Sequence, residues 1–291
     1  MRRAIKFGVP ALLILLAIVY ALISFLMASG VTKADRKALT TTPAAFGMEY
    51  EDVEFPPRDD TDGITLRGWF IPAENSGQAI LFVHGINSNR EEGEDFLNLA
   101  SRLVGNGFNV LLFDLRAHGE SDGEQVSGGL RERQDVLGAF DFLISRGIES
   151  DEIGVLAFSM GAATALQTAA QEPRITALVA DSPFADVADM VAQETARTTI
   201  FPRWLVPVFI PGMKLFANVI YDIDIGEIVP EDAVKQLDYP IFVIHGLADT
   251  RIATEQGIRV HEAAHPDSEL WLVPEVDHVD AFREHPDEYE Q

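Results

Sequence analysis

The stretch IGVLAFSMGAATALQTAA, residues 153–170, decides the fold. Its first half is a short, unbroken apolar run, the pattern of a strand covered on both faces. Its second half is a run of small residues that can pack a helix close against a sheet. Ser159 sits at the junction, with Ala157 two positions before it and Gly161 two after. A strand, a sharp turn and an immediate helix present a serine at the edge of a sheet. The flanking residues must be small because the backbone folds tightly upon them. The helix N-terminus then aims free N–H groups at the place where negative charge would develop.

The letters G-x-S-x-G occur elsewhere, at Gly119-Glu120-Ser121-Asp122-Gly123. That serine lies in a polar loop with no helix behind it, so context selects Ser159 although Ala157 replaces the first glycine. A serine hydroxyl needs a base, and the base needs an orienting carboxylate. In sheets of this kind the chain order is serine, acid, histidine. Of the seven histidines, only His278 stands in a loop just after the last strand-like run, ELWLVP (269–274). Asp249 follows the run IFVIHG (241–246) and fits the orienting acid; a turn or helix-capping aspartate is the plainer reading. Asp277 is too near His278 in the chain for that role. His261 and His265 share a helix face at a metal-compatible spacing but lack a third ligand nearby, and His285 falls in an acidic tail taken as solvated. The backbone N–H groups of Ile86 and Met160 are the expected oxyanion donors, one from the loop after an early strand and one from the residue after the serine. His84 is expected to prop its loop.

Working outward, MEYEDVEF (48–55) and ITLRGWFI (64–71) flank a turn-rich PPRDDTDG and read as an antiparallel hairpin. AILFVHG (79–85), NVLLFDLR (109–116) and ALVADSP (177–183) add further buried strands. Helical patterns lie between them, within 91–107 and over 130–147 and 160–170. Strand–helix alternation argues an α/β fold with a mostly parallel sheet. Residues 184–238 break the rhythm. They include FPRWLVPVFIPGMKLF (201–216), dense in apolar residues and cut by prolines, and read as a helical cap inserted over the site.

Taken together, His84-Gly85, Asp114-x-Arg116-x-His118-Gly119-x-Ser121, the turn at Ser159, Ser182-Pro183-Phe184, the HGxxD ending at Asp249, and His278 resemble the α/β-hydrolase superfamily. Within it the chain is most similar to membrane-anchored Bem46-like and serine-aminopeptidase-like (S33) hydrolases. The resemblance spans roughly 48–285, the size of one domain. It implies an α/β-hydrolase fold and a Ser159–Asp249–His278 triad, and a structural role for the 114–121 loop. It says little about substrate. Ala157 and the unusually apolar cap are its departures.

No residue from Phe7 to Thr32 is charged. Gly8–Ser29 is long enough to cross a hydrocarbon core, which takes roughly 20 helical residues, with Pro10 expected in the first helical turn. A cleavable leader is the alternative, with Ala28-Ser29-Gly30 as its site, although leader cores usually run ~7–15 residues. The basic residues Arg2, Arg3 and Lys6 lean toward a cytoplasmic N-terminus and an extracytoplasmic catalytic domain. Residues 1–30 are thus expected to be a membrane anchor, 31–47 a polar linker, and 48–291 the catalytic domain, with its cap at about 184–238.

The formal charge is −24, although the first 40 residues carry six basic side chains against one acidic. So acidic a domain excludes nucleic acid as a partner, because that affinity rests on Lys and Arg. Only five of the 22 basic residues are lysine, a surface suited to a salty milieu and equally to ordinary solubility. Cysteine is absent, which excludes disulfides, thiolate nucleophiles and Cys-ligated metals. No phosphate loop or strong metal spacing appears, so no cofactor is expected. The leading expectation is hydrolysis of a small-molecule ester or thioester through an acyl-serine. The apolar cap points either to a lipid-like acyl group or to ordinary packing. A small-peptide hydrolase and a non-catalytic binding module on the same fold are the alternatives.

Overall fold

The computed structural model describes residues 2–59, 63–198, 202 and 204–291. The middle of the PPRDDTDG turn (60–62) and parts of the apolar insertion (199–201 and 203) lie outside them. The chain runs α1 (Arg2–Val31), β1 (Glu51–Phe55), β2 (Leu66–Ile71), β3 (Ala79–Val83), α2 (Asp95–Gly105), β4 (Asn109–Phe113) and α3 (Glu132–Ser145). It continues through β5 (Ile153–Phe158), α4 (Met160–Ala169), β6 (Leu178–Asp181), α5 (Val187–Thr198), α6 (Ile210–Tyr221) and α7 (Pro230–Val234). The last elements are β7 (Phe242–Gly246), α8 (Thr254–Ala263), β8 (Glu269–Val273), α9 (Ala281–Glu284) and α10 (Pro286–Glu290).

The strands form one eight-stranded sheet in the order β1-β2-β4-β3-β5-β6-β7-β8. The β1–β2 hairpin is antiparallel, β2 joins β4 antiparallel, and every later pairing is parallel. Each parallel strand sends alternate side chains to two covered faces. Leu81, Leu111, Val155 and Ala157 face the core under α3 and α4. Phe82, Leu112, Leu156 and Phe158 face the core under α2 and the C-terminal helices. This is the α/β-hydrolase fold, a mostly parallel sheet flanked by helices.

The apolar runs overreach the strands at their C-terminal ends. Beyond Phe158 and Asp181 the backbone leaves the ladder, although Ser159 N–H still reaches Asp181 O at 2.8 Å and Ser182 N–H reaches Ile244 O at 2.8 Å. Those exits lie at the strand ends where α/β folds place their sites. The insertion between β6 and β7 carries α5 and α6, while α7 returns to the layer of α4 and α8.

Three local features differ from expectation. Helix α1 begins at Arg2, so Pro10 is interior rather than in the first turn. Its ring leaves the carbonyl four residues earlier without a helical donor. The segment after α1 is laid along the domain: Arg36 donates to the carbonyls of His118, Gly119, Ser121 and Gly123, and Thr40 and Thr41 N–H groups bind the Glu91 carboxylate. The acidic tail keeps Asp287 and Glu288 in solvent but is docked through its other side chains. Arg102 bridges Asp287 and Glu290, and the Tyr289 ring meets Phe282 edge-on and Trp271 at a tilt. Burying those rings outweighs the solvation of a short charged segment.

Candidate active site

Ser159 has φ 55° and ψ −121°, a conformation that L residues avoid. The tertiary frame holds it there. A Cβ on Gly161 would lie 2.3 Å from Val83 O and 2.4 Å from His84 O, and one on Gly85 would lie 3.0 Å from Ser159 Cβ. The crossing of β3, β5 and α4 thus leaves room for hydrogen alone at Gly161, while Ala157 is fully buried without its glycine.

The structure brings the three separated residues together. Ser159 Oγ lies 2.8 Å from His278 Nε2, and His278 Nδ1 lies 2.7 Å from Asp249 Oδ2. Asp249 is pinned from its other oxygen, where Oδ1 accepts the N–H groups of Arg251 at 2.8 Å and Ile252 at 2.7 Å. Burial by itself would raise the Asp249 carboxyl. The hydrogen bonds from His245, His278 and Ile252 N–H outweigh it and hold the group well below the usual carboxylate range. An ionised Asp249 fixes the proton on His278 Nδ1 and leaves Nε2 as the acceptor for Ser159.

Ile86 lies in the loop after β3 and Met160 at the first turn of α4, and both line the same pocket as Ser159. No backbone carbonyl takes up either N–H among the described residues, so both remain available to an oxyanion. The remaining candidates are occupied otherwise. Ser121 Oγ donates to Asp114 O at 2.6 Å and accepts Arg67 N–H at 2.9 Å, fully buried. His84 is a prop: its Nε2 accepts Leu115 N–H at 2.9 Å and its Nδ1 faces Gly85 O at 2.7 Å. Burial, with His118 beside it, keeps that ring well below the ordinary imidazole value. His261 Nε2 faces Ser268 O at 3.1 Å, and no group of three His, Asp or Glu residues able to hold a metal occurs among the described residues.

Two supporting residues escaped the sequence. His245 is fully buried, with Nε2 3.2 Å from Asp249 Oδ2 and 3.1 Å from Ile252 O. Both neighbours are acceptors, so Nε2 carries the proton and gives Asp249 a further donor. Its Nδ1 is unpartnered and abuts Gly257, where a Cβ would come within 2.3 Å. The histidine four positions before the acid in HGxxD was the available signal. Asp277 accepts the N–H groups of Thr250 and His278, each at 2.8 Å, and so ties the acid loop to the histidine loop.

Ser159 opens into a cavity of about 430 Å³, within the range of small-molecule sites. Its walls are mainly apolar: Phe184, Met190 and Val191 from the insertion, and Ile23, Met27 and Val31 from α1. Lys33, Glu194 and Arg251 add the charged part of the lining.

A buried serine on a strand–helix turn, at the strand ends of this mostly parallel sheet, is the arrangement of an α/β hydrolase. Residues 74–224 match the family model described as serine aminopeptidase, S33, and the chain belongs to that family. Among curated relatives it is 29% identical to the uncharacterized protein YfhR of Escherichia coli K12, over 83% of this chain and 78% of that one. It is 25% identical to the uncharacterized YqkD of Bacillus subtilis, over 76% and 71%. Among solved structures it is similar to the Pyrococcus furiosus esterase Pf2001, at 28% identity and TM-score 0.72, over 89% of this chain and 95% of that one.

Proposed function

We propose that the chain is a membrane-anchored, Bem46-like serine hydrolase that cleaves carboxylic ester or thioester bonds through an acyl-serine intermediate. The observation that carries this reading is the single imidazole of His278, in hydrogen-bond reach of Ser159 Oγ and Asp249 Oδ2 at once. Ser159 Oγ attacks the acyl carbon as His278 Nε2 takes its proton. The carbonyl oxygen becomes an oxyanion held by the N–H groups of Ile86 and Met160. As the tetrahedral adduct collapses, the bond to the leaving oxygen or sulfur breaks and His278 returns the proton to it. Water then attacks the acyl-serine with His278 as base, releasing a carboxylic acid and restoring Ser159. Asp249 stays ionised and holds the imidazole in one tautomer.

The apolar pocket supports an acyl chain over a peptide, and the esterase among the structural relatives agrees in class. The apolar span Val9–Val31, with mean hydropathy 2.8, supports an anchor. Packing of Ala28, fully buried, and Ser29, whose Oγ meets the Tyr221 hydroxyl at 2.8 Å, favours a retained helix over a cleaved leader. A division into anchor (1–30), linker (31–47) and catalytic domain with a cap (48–291) fits that reading. The basic residues near the N-terminus favour an extracytoplasmic catalytic domain.

The test is fluorophosphonate labelling of the full chain in detergent micelles, beside Ser159→Ala and Ser121→Ala. Labelling lost only in Ser159→Ala is the expected result, followed by turnover of p-nitrophenyl acyl esters above aminoacyl anilides. Labelling that survives Ser159→Ala removes the proposal. Turnover of anilides above esters reassigns the enzyme to peptide chemistry.

A further inference from the structure

Helix α1 changes character along its length. Up to Val19 its described side chains are exposed, with Leu13 and Ile14 more than half accessible. From Tyr20 onward a stripe becomes buried, with Ser24 and Ala28 at zero exposure, against α6. The two helices run side by side in the same direction: Gly212 N–H donates to Tyr20 Oη at 3.1 Å, Phe216 meets Phe25 edge-on at 5.9 Å, and Ser29 meets Tyr221. The approach is close, since a Cβ on Gly212 would fall 2.3 Å from Ser24 Oγ. The turn before α6 therefore sits level with Tyr20, where the Phe209 and Tyr20 rings stack at 5.5 Å.

Length arithmetic then decides where α6 must be. The apolar span Val9–Val31 has 23 residues, a rise of about 35 Å at about 1.5 Å per residue. Counted from Phe7, where the uncharged stretch begins, the turns before Tyr20 rise about 20 Å, two-thirds of a ~30 Å hydrocarbon core. A helix that crosses the core must therefore carry α6 into it. The outer face of α6 suits that solvent: Leu215 is 60% exposed and Val219 71%, and Trp204 in the preceding turn is 76% exposed. Lys214 is the charged residue on α6, and its ammonium is turned toward the Asp224–Gly226 turn.

The same stretch of α1 walls the catalytic cavity. Ile23, Met27 and Val31 line it opposite Met190 and Val191, and Leu26 lines it while remaining 58% exposed on the outer side. The cavity thus has a rim on the exposed outer face of α1, and Ser159 lies in the same cavity.

Resting on the reading of α1 as a membrane span and of Ser159 as the nucleophile, we infer that α6 and its leading turn are immersed in one leaflet beside α1, and that the pocket takes the acyl chain of a membrane lipid sideways out of that leaflet. The anchor is then part of the substrate site.

The absence of cysteine makes single-cysteine probes clean. Nitroxide labels go on Leu13→Cys, Val219→Cys and Glu149→Cys of the full chain in phosphatidylcholine liposomes, with depth read by oxygen against a water-soluble nickel chelate. The expected order is Leu13 and Val219 in hydrocarbon and Glu149 in water. Leu13 in hydrocarbon with Val219 in water overturns the inference and leaves the anchor standing; Leu13 in water removes both. In the same liposomes, Met27→Trp fills the α1 side of the cavity. The ratio of decanoyl to acetyl ester turnover should fall about tenfold or more, since each methylene excluded from an apolar pocket costs roughly that factor. Leu22→Trp, on the outer face of α1, should leave the ratio unchanged. An unchanged ratio in Met27→Trp, with acetyl turnover still lost in Ser159→Ala, refutes the wall and spares the catalytic reading. Acetyl turnover that survives Ser159→Ala refutes the nucleophile first.

Discussion

Replacing Asp249 by asparagine tests the geometry with almost no change of shape. Two fixed backbone donors, the N–H groups of Arg251 and Ile252, converge on Asp249 Oδ1. In the variant they claim the amide oxygen, which is the sole acceptor of the new side chain. The NH₂ must then occupy the place of Oδ2 and point its hydrogens at His278 Nδ1 and His245 Nε2. His278 can accept such a bond only by moving its proton to Nε2, and that tautomer cannot take the proton of Ser159. His245 keeps its proton on Nε2 toward Ile252 O and cannot turn that nitrogen into an acceptor, because its Nδ1 faces Gly257 and not a polar partner. The expected loss in kcat is about 10⁴-fold, or about 5.5 kcal/mol at about 1.36 kcal/mol per factor of ten. Stability should fall by about 1–3 kcal/mol for the buried donors left facing one another. The assay is p-nitrophenyl butyrate turnover beside the rate of fluorophosphonate labelling, with thermal unfolding as the control for folding. A loss smaller than about tenfold in a folded variant would refute the tautomer argument.

Ser121→Ala should leave labelling intact but lower stability by about 1–3 kcal/mol, measured by denaturant midpoint, because Asp114 O and Arg67 N–H lose a buried partner. Gly161→Ala should cost about 1–3 kcal/mol by overpacking, and should slow labelling at Ser159, since the new methyl group meets the carbonyls of Val83 and His84. Asp181 is buried, which raises its carboxyl from 3.8 to about 6, although Ser182 and Tyr289 hydroxyls partly oppose the shift. A raised acid pKa means that folding takes up a proton. Its contribution is present below the unfolded value and is lost as pH rises through about 6. Asp181→Asn should therefore gain on the wild type between pH 4 and pH 8, by up to about 3 kcal/mol on the scale of about 1.36 per unit. A difference between the two proteins that does not change with pH would contradict this.

Much of the site was legible because its signals are local. The apolar run before Ser159, the small residues beside it, and the positions of Asp249 and His278 after late strands follow from strand periodicity and turn chemistry over a few residues. The same logic set Ser159 apart from Ser121, where the letters alone preferred Ser121. The structure places Ser159 beside His278 and buries Ser121 against Asp114 O and Arg67 N–H. The hairpin was legible from its turn-rich link, and the mostly parallel sheet from the alternation of unbroken apolar runs with helical patterns.

What remained hidden depends on which distant surfaces meet. His245 looked like the end of a strand until folding set its ring between Asp249 and Gly257. Asp277, set aside as an acid, became the tie between two loops. The tail read as solvated because its charges are evident in sequence, while the face that receives Tyr289 is not. Above all, α1 announced its own hydrophobicity but not its partner: Ser24 and Phe209 are 185 positions apart, and Ser29 and Tyr221 are 192. The sequence by itself determined that Gly8–Ser29 is apolar and long enough to cross a hydrocarbon core, and that a serine, an acid and a histidine stand in the order an α/β hydrolase uses. Only the tertiary structure decided that the helix also walls the pocket, because packing selects partners by shape and burial across the chain, and no local period records that choice.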